Sequence, residues 1–338
     1  MAHRITLIPG DGIGPEVVEA TRMILEATGV DIEWDVHHAG LEVARLTGTP
    51  LPPSVIDAVR RTKVALKGPV TTPIGQGFRS VNVTLRQTLD LYANVRPIRS
   101  LPAVETRFGQ VDMVIIRENT EGLYAGLELM ILPGVAQSIK LTTEKSSTRI
   151  AEFAFRFAEK HGRKRVTIVH KANIMKISDG LALDCARRVA ASFKGTELAE
   201  MIVDAAAMTM VRDPNRLGVL VTENLYGDIL SDLGAGLVGG LGIVPGANIG
   251  DEAAIFEAVH GSAPDIAGKG LANPTALVQS AVMMLRHLGE MTAADRIETA
   301  LTDLYREGEV RTRDLGGTAT TNDFTSAMRK KLLTPRAS

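Results

Sequence analysis

A single cysteine, Cys185, occurs among the 338 residues, so neither a disulfide framework nor a thiolate metal cage is available, and a reducing compartment is expected. No excess of one charge exists either. The 38 basic and 39 acidic side chains leave a formal net charge of −1, with both signs mixed along the chain. That excludes the whole-molecule basic field that draws nucleic acid, and it excludes strong acidic self-repulsion. Long apolar stretches are missing too. The longest run without a charged residue, 233–250, has 18 positions, the nominal length of a membrane helix. Seven of them are Gly and one is Pro245, so a glycine-rich connection is expected there and no membrane span. At the N-terminus, Met1 to Arg4 lead straight into a strand-like segment, which leaves no room for a targeting signal; a cytoplasmic location is expected.

Against these absences stand 45% apolar and 23% charged residues, enough for a large core, and 32 glycines. The length suits about two domains at roughly 150 residues each. Glycine at this level, without a collagen period, marks places where backbone must come close to something.

Short apolar strands alternate with longer amphipathic helices, the pattern of an α/β fold. Strands are predicted at 5–8, 32–36, 64–66, 91–95, 111–117, 165–170, 200–203, 218–222 and 254–259. Helices are predicted at 15–28, 40–47, 53–62, 82–89, 148–161, 180–193, from near Leu225, and at 274–288 and 293–307. A loop is expected at 68–77, with Gly75 and Gly77. No linker or repeat separates two halves, so two domains would be tightly joined, with the chain crossing between them.

Several segments carry candidate chemistry. Gly10-Asp11-Gly12-Ile13-Gly14 opens a helix after the first strand, but its G-x-G-x-G spacing fails the dinucleotide fingerprint, and a plain permissive turn explains it equally well. Ser80, Asn82, Arg86 and Arg96 fall within 17 residues, and Arg117 ends a buried strand soon after. Three planar guanidinium forks could bind a substrate with several carboxylates, or each could pair with a carboxylate of the protein. Asp228 and Asp232 stand one helical turn apart, with no lysine or arginine from Leu217 to Gly268 to offset them. Mg²⁺ would relieve the repulsion, with Asp204, read as ending a strand, as a third ligand. Lys171 follows the strand at 165–170 and could serve as a general base, with Tyr124 as its acid counterpart, although isolated residues of these types more often have surface or packing roles. The loop from His260 to Gly268 has small residues that let backbone approach a flat ligand, and its Asp265 could accept hydrogen bonds from a ribose diol while repelling a 2′-phosphate.

Taken together, these segments resemble the β-decarboxylating dehydrogenase family, which contains isocitrate, isopropylmalate and homoisocitrate dehydrogenases. The resemblance covers essentially the whole chain, from Ile5 to Gly317. Its most specific part is Asn224-Leu225-Tyr226-Gly227-Asp228-Ile229-Leu230-Ser231-Asp232 with the glycine-rich 234–242. It implies an α/β isopropylmalate/isocitrate dehydrogenase-like fold, not Rossmann, with two interwoven domains around a central cleft. Residues 1–98 plus 251–338 would form the large, cofactor-side domain, and 99–250 a small domain with the dimer interface. Arg86, Arg96 and Arg117 match the family's substrate-carboxylate arginines, Asp204, Asp228 and Asp232 its Mg²⁺ or Mn²⁺ ligands, and Tyr124 and Lys171 its acid–base pair. The resemblance further implies a homodimer with shared active sites, each receiving the lysine and one aspartate of its neighbour, or a higher oligomer built from such dimers.

Ser80 and Asn82 resemble the isocitrate branch, where both contact the γ-carboxylate; an isopropyl group would need a more apolar surface. The segment from Asn94 to Lys140 looks most like NAD-dependent isocitrate dehydrogenases of the mitochondrial type, with homoisocitrate enzymes the alternative. Asp265-Ile266 stands where NADP-dependent relatives carry a Lys-Tyr pair, which implies NAD. Thr72, Asn173, His260, Gly261, Ala263, Pro264, Asp265, Ile266 and Asn273 would line its site. The substrate would be a small tricarboxylate. Some relatives are non-catalytic regulatory subunits of a heteromeric enzyme; these would depart at the acid–base or metal positions, and here Tyr124, Lys171 and all three aspartates are present.

Overall fold

The computed structural model describes residues 2–73 and 78–334. Gly75 and Gly77 of the expected loop lie outside the described residues. In chain order the elements are β1 (His3–Ile8), α1 (Gly14–Glu26), β2 (Ile32–Val36), α2 (Leu41–Thr47), α3 (Pro53–Thr62), β3 (Val64–Lys67), α4 (Val81–Thr88), β4 (Ala93–Arg99) and β5 (Asp112–Glu118). There follow β6 (Gly122–Leu132), β7 (Val135–Leu141), α5 (Glu144–Lys160), β8 (Arg165–His170), α6 (Ser178–Ala190), β9 (Glu197–Ile202), α7 (Val203–Arg212), β10 (Val219–Thr222) and α8 (Asn224–Val238). The last are β11 (Pro245–Ile249), β12 (Ala254–Ala258), α9 (Thr275–His287), α10 (Met291–Glu307) and α11 (Thr321–Leu333).

Ten strands form one sheet in the order β2-β1-β3-β12-β11-β4-β5-β10-β8-β9. Its flanks are parallel, β2 to β12 on one side and β5 to β9 on the other. Between them the pairs β12–β11, β11–β4 and β4–β5 are antiparallel. This mixed order differs from an all-parallel dinucleotide-binding sheet.

Local signals set most helix starts. Pro15 and Pro53 stand in the first turns of α1 and α3, where a missing N–H costs nothing. The Thr143 side chain accepts from Ser146 N at 3.2 Å to cap α5, so that helix begins at Glu144, before the expected 148. The apolar stripe Val17, Val18, Ile24 and Leu25 of α1 is buried. It joins α9 and α10 in the largest core, while β5, β8, β10, α5 and α6 enclose a second.

Three expectations are corrected. Residues 233–250 are not a glycine-rich connection: α8 continues to Val238, and β11 lies in the middle of the sheet. A Cβ on Gly234 would stand 3.0 Å from Ile98 Cγ1, so the small residue lets the helix lie close on β4, and packing overrides its poor propensity. Asp204 sits in the first turn of α7, not at a strand end, because the chain turns helical at Val203. Finally, β6 and β7 form a separate two-stranded arm that the alternation did not predict. Leu127, Leu129, Met130, Ile131 and Leu132 are all exposed, so neither strand shows the one-sided burial that marks a sheet strand.

Candidate active site

A cavity of about 220 Å³ opens over the antiparallel middle of the sheet, lined by side chains from α4, β4, β5, β6, α8 and β12. Arg86, Arg96 and Arg117 are 8%, 6% and 1% exposed, so three permanently charged groups have been taken out of water. Such burial requires partners. Arg86 Nη2 lies 3.1 Å from Glu257 Oε1. Arg96 Nε donates to Asn94 Oδ1 at 2.7 Å, and its Nη1 faces Asp228 and Asp232 at 3.5 and 3.7 Å. Arg117 grips Asn224 Oδ1 through Nε at 2.9 Å and Nη2 at 2.6 Å, and its Nη1 pairs with Asp228. Burial, with Arg96 and Arg86 close by, pushes Arg117 down to about 9.

Glu257 and its own partner Lys67 were not anticipated from the sequence. Glu257, on β12, takes Lys67 Nζ at 2.6 Å and Asn248 Nδ2 at 2.7 Å besides Arg86. Burial favours the neutral acid, but Lys67 and Arg86 outweigh it and bring Glu257 down to about 2. A charged residue inside the apolar strand Ala254–Ala258, and another ending Val64–Lys67, were the available signals. The balance is unequal. Among the described residues that line the cavity, Arg86, Arg96 and Arg117 are buried cations, with Lys67 buried behind Glu257, whereas the carboxylates are Glu257 and Asp228. The geometry therefore suits an anion with more than one negative group.

Tyr124 closes one side. Its hydroxyl donates to Asp228, and Arg117 lies over its ring at 4.9 Å. Burial and that hydrogen bond push the phenol up, so Tyr124 carries its proton at neutral pH. Burial would also raise Asp228, yet Arg117 and Arg96 prevail and keep it ionised. Ser80 caps α4 and accepts from Thr72 Oγ1 at 3.2 Å. Asn82 Oδ1, Arg86 Nε and His260 Nε2 are buried in or beside the cavity wall without a hydrogen-bond partner among the described residues, which suits a polar ligand.

The expected cofactor loop borders the same cavity. His260 and Gly261 line it, Ala263 holds a left-handed φ of 38°, and Pro264–Ile266 form a short helical turn. Burial keeps His260 below its usual range. Ala263, Pro264 and Asp265 are exposed, and Asn273 is buried, donating to Asp314 Oδ2 at 3.0 Å. The Gly10–Gly14 turn fastens this loop from behind. Ile13 N donates to Ser262 O at 2.9 Å and Asp11 N to Pro69 O at 2.7 Å, with Gly10 and Gly12 at φ of 77° and 58°.

Lys171, Asn173 and Asp204 are not in this cavity. Lys171 Nζ pairs with Asp204 Oδ1 at 2.5 Å, and the Asp204 side chain is 70% exposed. Among the described residues no three His, Cys, Asp or Glu side chains stand close enough to hold a metal ion. Asp228 in the cavity wall and Asp232 one helical turn beyond it offer two carboxylates, which fits part of a Mg²⁺ or Mn²⁺ shell.

The sequence profile of the isocitrate/isopropylmalate dehydrogenase family matches residues 4–329. The chain belongs to this family. It is 53% identical over 324 residues to the NAD isocitrate dehydrogenase catalytic subunit 5, mitochondrial, of Arabidopsis thaliana, covering 96% of this chain and 87% of that protein. It is also 53% identical over 308 residues to the chloroplastic 3-isopropylmalate dehydrogenase of Solanum tuberosum, covering 91% and 86%. Among solved structures, isocitrate dehydrogenase from Methylococcus capsulatus superposes with a TM-score of 0.96 at 51% identity, covering 98% of this chain and all of that one. The chain is thus a member of a dehydrogenase family with the mixed sheet described above. No helix among the described residues is long and apolar enough to cross a membrane.

Proposed function

We propose that this protein is the catalytic chain of an NAD-dependent isocitrate dehydrogenase, converting isocitrate to 2-oxoglutarate and CO₂ with Mg²⁺ or Mn²⁺. The observation that carries the reading is the cavity wall, in which buried cations exceed carboxylates and Ser80 and Asn82 add a polar face. Identity to isocitrate and isopropylmalate relatives is equal, so the choice rests on that face. An isopropyl group would offer the Asn82 amide no hydrogen-bond partner. A third carboxylate would accept hydrogen bonds from Asn82 Nδ2, the Ser80 hydroxyl and Arg86. Homoisocitrate carries the same groups with a longer spacing and is the alternative.

In this reading Arg86, Arg96 and Arg117 bind and orient the carboxylates. Asp228 and Asp232 would hold the cation, with Asp204 of the partner subunit. The chemistry supplied by the bound groups is hydride acceptance at the nicotinamide and Lewis-acid polarisation of the C2 hydroxyl and its carboxylate. Lys171 Nζ of the partner subunit accepts the hydroxyl proton. After CO₂ has left, Tyr124 Oη returns a proton at C3. Thr72, His260 to Ile266 and Asn273 line the NAD site, with Asn173 reaching it from the partner.

The reading needs a second copy of the chain, because Lys171 and Asp204 lie apart from the cavity in one chain. The exposed apolar residues of the arm support such a copy, since an isolated two-stranded ribbon is marginal in water. The division into 1–98 with 251–338 and 99–250 belongs to the same reading, as does a cytoplasmic location, supported by the single cysteine. Initial rates of the purified chain alone, with isocitrate, homoisocitrate and 3-isopropylmalate each against NAD and NADP, test it. Isocitrate with NAD should give the highest kcat/KM, abolished by a chelator and restored by Mg²⁺. Activity appearing only with a second, different chain would identify a regulatory subunit instead, and a higher kcat/KM for homoisocitrate would move the substrate.

A further inference from the structure

Asp179 is a buried carboxylate, 3% exposed, that touches no part of the cavity. It lies in the first turn of α6, and three other elements converge on it. Its Oδ2 accepts the main-chain N–H of Lys171 at 2.6 Å, just past the end of β8. Its Oδ1 accepts Lys140 Nζ at 2.6 Å, from the root of the arm strand β7. Tyr226, on α8 two residues before Asp228, reaches Oδ2 with its hydroxyl at 3.3 Å. Lys140 in turn lies 4.8 Å from the centre of the Tyr226 ring and 3.7 Å from Glu223 Oε1, at the cap of α8. The Lys140 side chain is only 13% exposed, although most of the arm is open to solvent.

The Lys171 carbonyl is fixed as well, accepting from Ile174 N and Met175 N at 2.9 Å each. The backbone that carries the Lys171 side chain is therefore held at its N–H by a charge-assisted hydrogen bond and at its carbonyl by a turn. The ammonium group that anchors Asp179 comes from the arm, and Tyr226 links it to the helix carrying the two cavity-edge aspartates.

We propose that Asp179 and Lys140 are positioning residues for the reaction: together they tie the root of the arm to the main chain of Lys171 and set where its amine stands. The inference rests on Lys171 being the base of the proposed reaction. A tether that positions without touching substrate acts on kcat, since displacement of a reacting group by about 1 Å costs up to about 100-fold in rate while binding contacts persist. Neither residue touches the cavity, so the KM values for isocitrate and NAD stay near those of the parent.

The test compares Asp179→Asn, Lys140→Met and Lys140→Arg with the parent enzyme and with Lys171→Met. Asp179→Asn and Lys140→Met should each lower kcat by about 10-fold or more, with both KM values within about twofold and the native assembly mass unchanged. Lys140→Arg, which restores a cation at the arm root, should recover most of the rate. Unchanged kcat in Lys140→Met, or a kcat loss matched by loss of the folded assembly in both Lys140 variants, would overturn the tether. If Asp179→Asn fails to fold, the Lys140 pair still decides. An active Lys171→Met would instead remove the base assignment itself, whereas an inactive Lys171→Met beside fully active Asp179→Asn and Lys140→Met would refute only the tether.

Discussion

Glu257 forms an ion pair with Lys67 Nζ at 2.6 Å at the wall of the candidate cavity, and both side chains are almost wholly buried. The pair joins adjacent strands β12 and β3, and Arg86 completes it from α4. The result is a carboxylate that stays ionised to unusual acidity and offsets two of the four buried cations.

That pairing predicts a pH dependence of stability. The folded pKa of Glu257 is lowered to about 2 from an ordinary 4.5. Its contribution is therefore fully present above about pH 4.5 and is lost as pH falls from there toward 2. The loss is on the order of 3 kcal/mol. Denaturant unfolding of the parent and of Glu257→Gln across this range should show a steeper slope in the parent than in the variant; parallel curves would reject the assignment.

Arg117 should not tolerate lysine. Its fork holds Asn224 through two nitrogens and Asp228 through a third, a geometry that one ammonium cannot reproduce. Arg117→Lys is expected to lower kcat/KM for isocitrate by about 100-fold, the scale of a broken buried charge pair. Steady-state kinetics beside circular dichroism would check it, with a native spectrum and a severe kinetic defect as the expected pair.

Gly12 tests the turn behind the cofactor loop. A Cβ there would lie 2.0 Å from Ser262 O, at a φ of 58°. Gly12→Ala should cost about 2 kcal/mol of stability. Because Ser262 stands beside Gly261 and Ala263, the KM for NAD should rise more than the KM for isocitrate. An equal rise in both would show that the turn supports the fold without positioning the loop.

Asn82 tests the substrate preference. Asn82→Leu removes the amide Nδ2 that would donate to the third carboxylate and puts an apolar branch in its place. Isocitrate kcat/KM should fall by about 10- to 100-fold, since a lost hydrogen bond to a charged group is worth roughly 1.5–3 kcal/mol. The ratio of 3-isopropylmalate to isocitrate turnover should rise. A ratio that stays constant would place the third carboxylate elsewhere.

Much of the site was legible in the sequence because local geometry fixes it. Asp228 and Asp232 share a face by helical spacing alone, and Arg117 ends a run that reads as a buried strand. Lys67 and Glu257 were not found, because each looks like an interruption of its own strand and gains its meaning only beside the other. Asp179 was missed for the same reason: nothing near it in sequence announces that Lys140, 39 residues earlier, supplies its counter-charge.

The sequence by itself determined the alternation of strands and helices, the proline-marked helix starts and, through its motifs, the family. Spacing along the chain carries these features, since helix and strand periods are local. Tertiary structure alone decided which charges meet. Arg86 and Glu257 are 171 positions apart and become partners because the sheet order sets β12 beside β3, under α4. The same folding leaves Lys171 and Asp204 outside the cavity, turns a glycine-rich run into a packed helix and a central strand, and leaves the arm's apolar residues in solvent. A buried charge must find its complement in space, and only the assembled sheet brings those complements within reach.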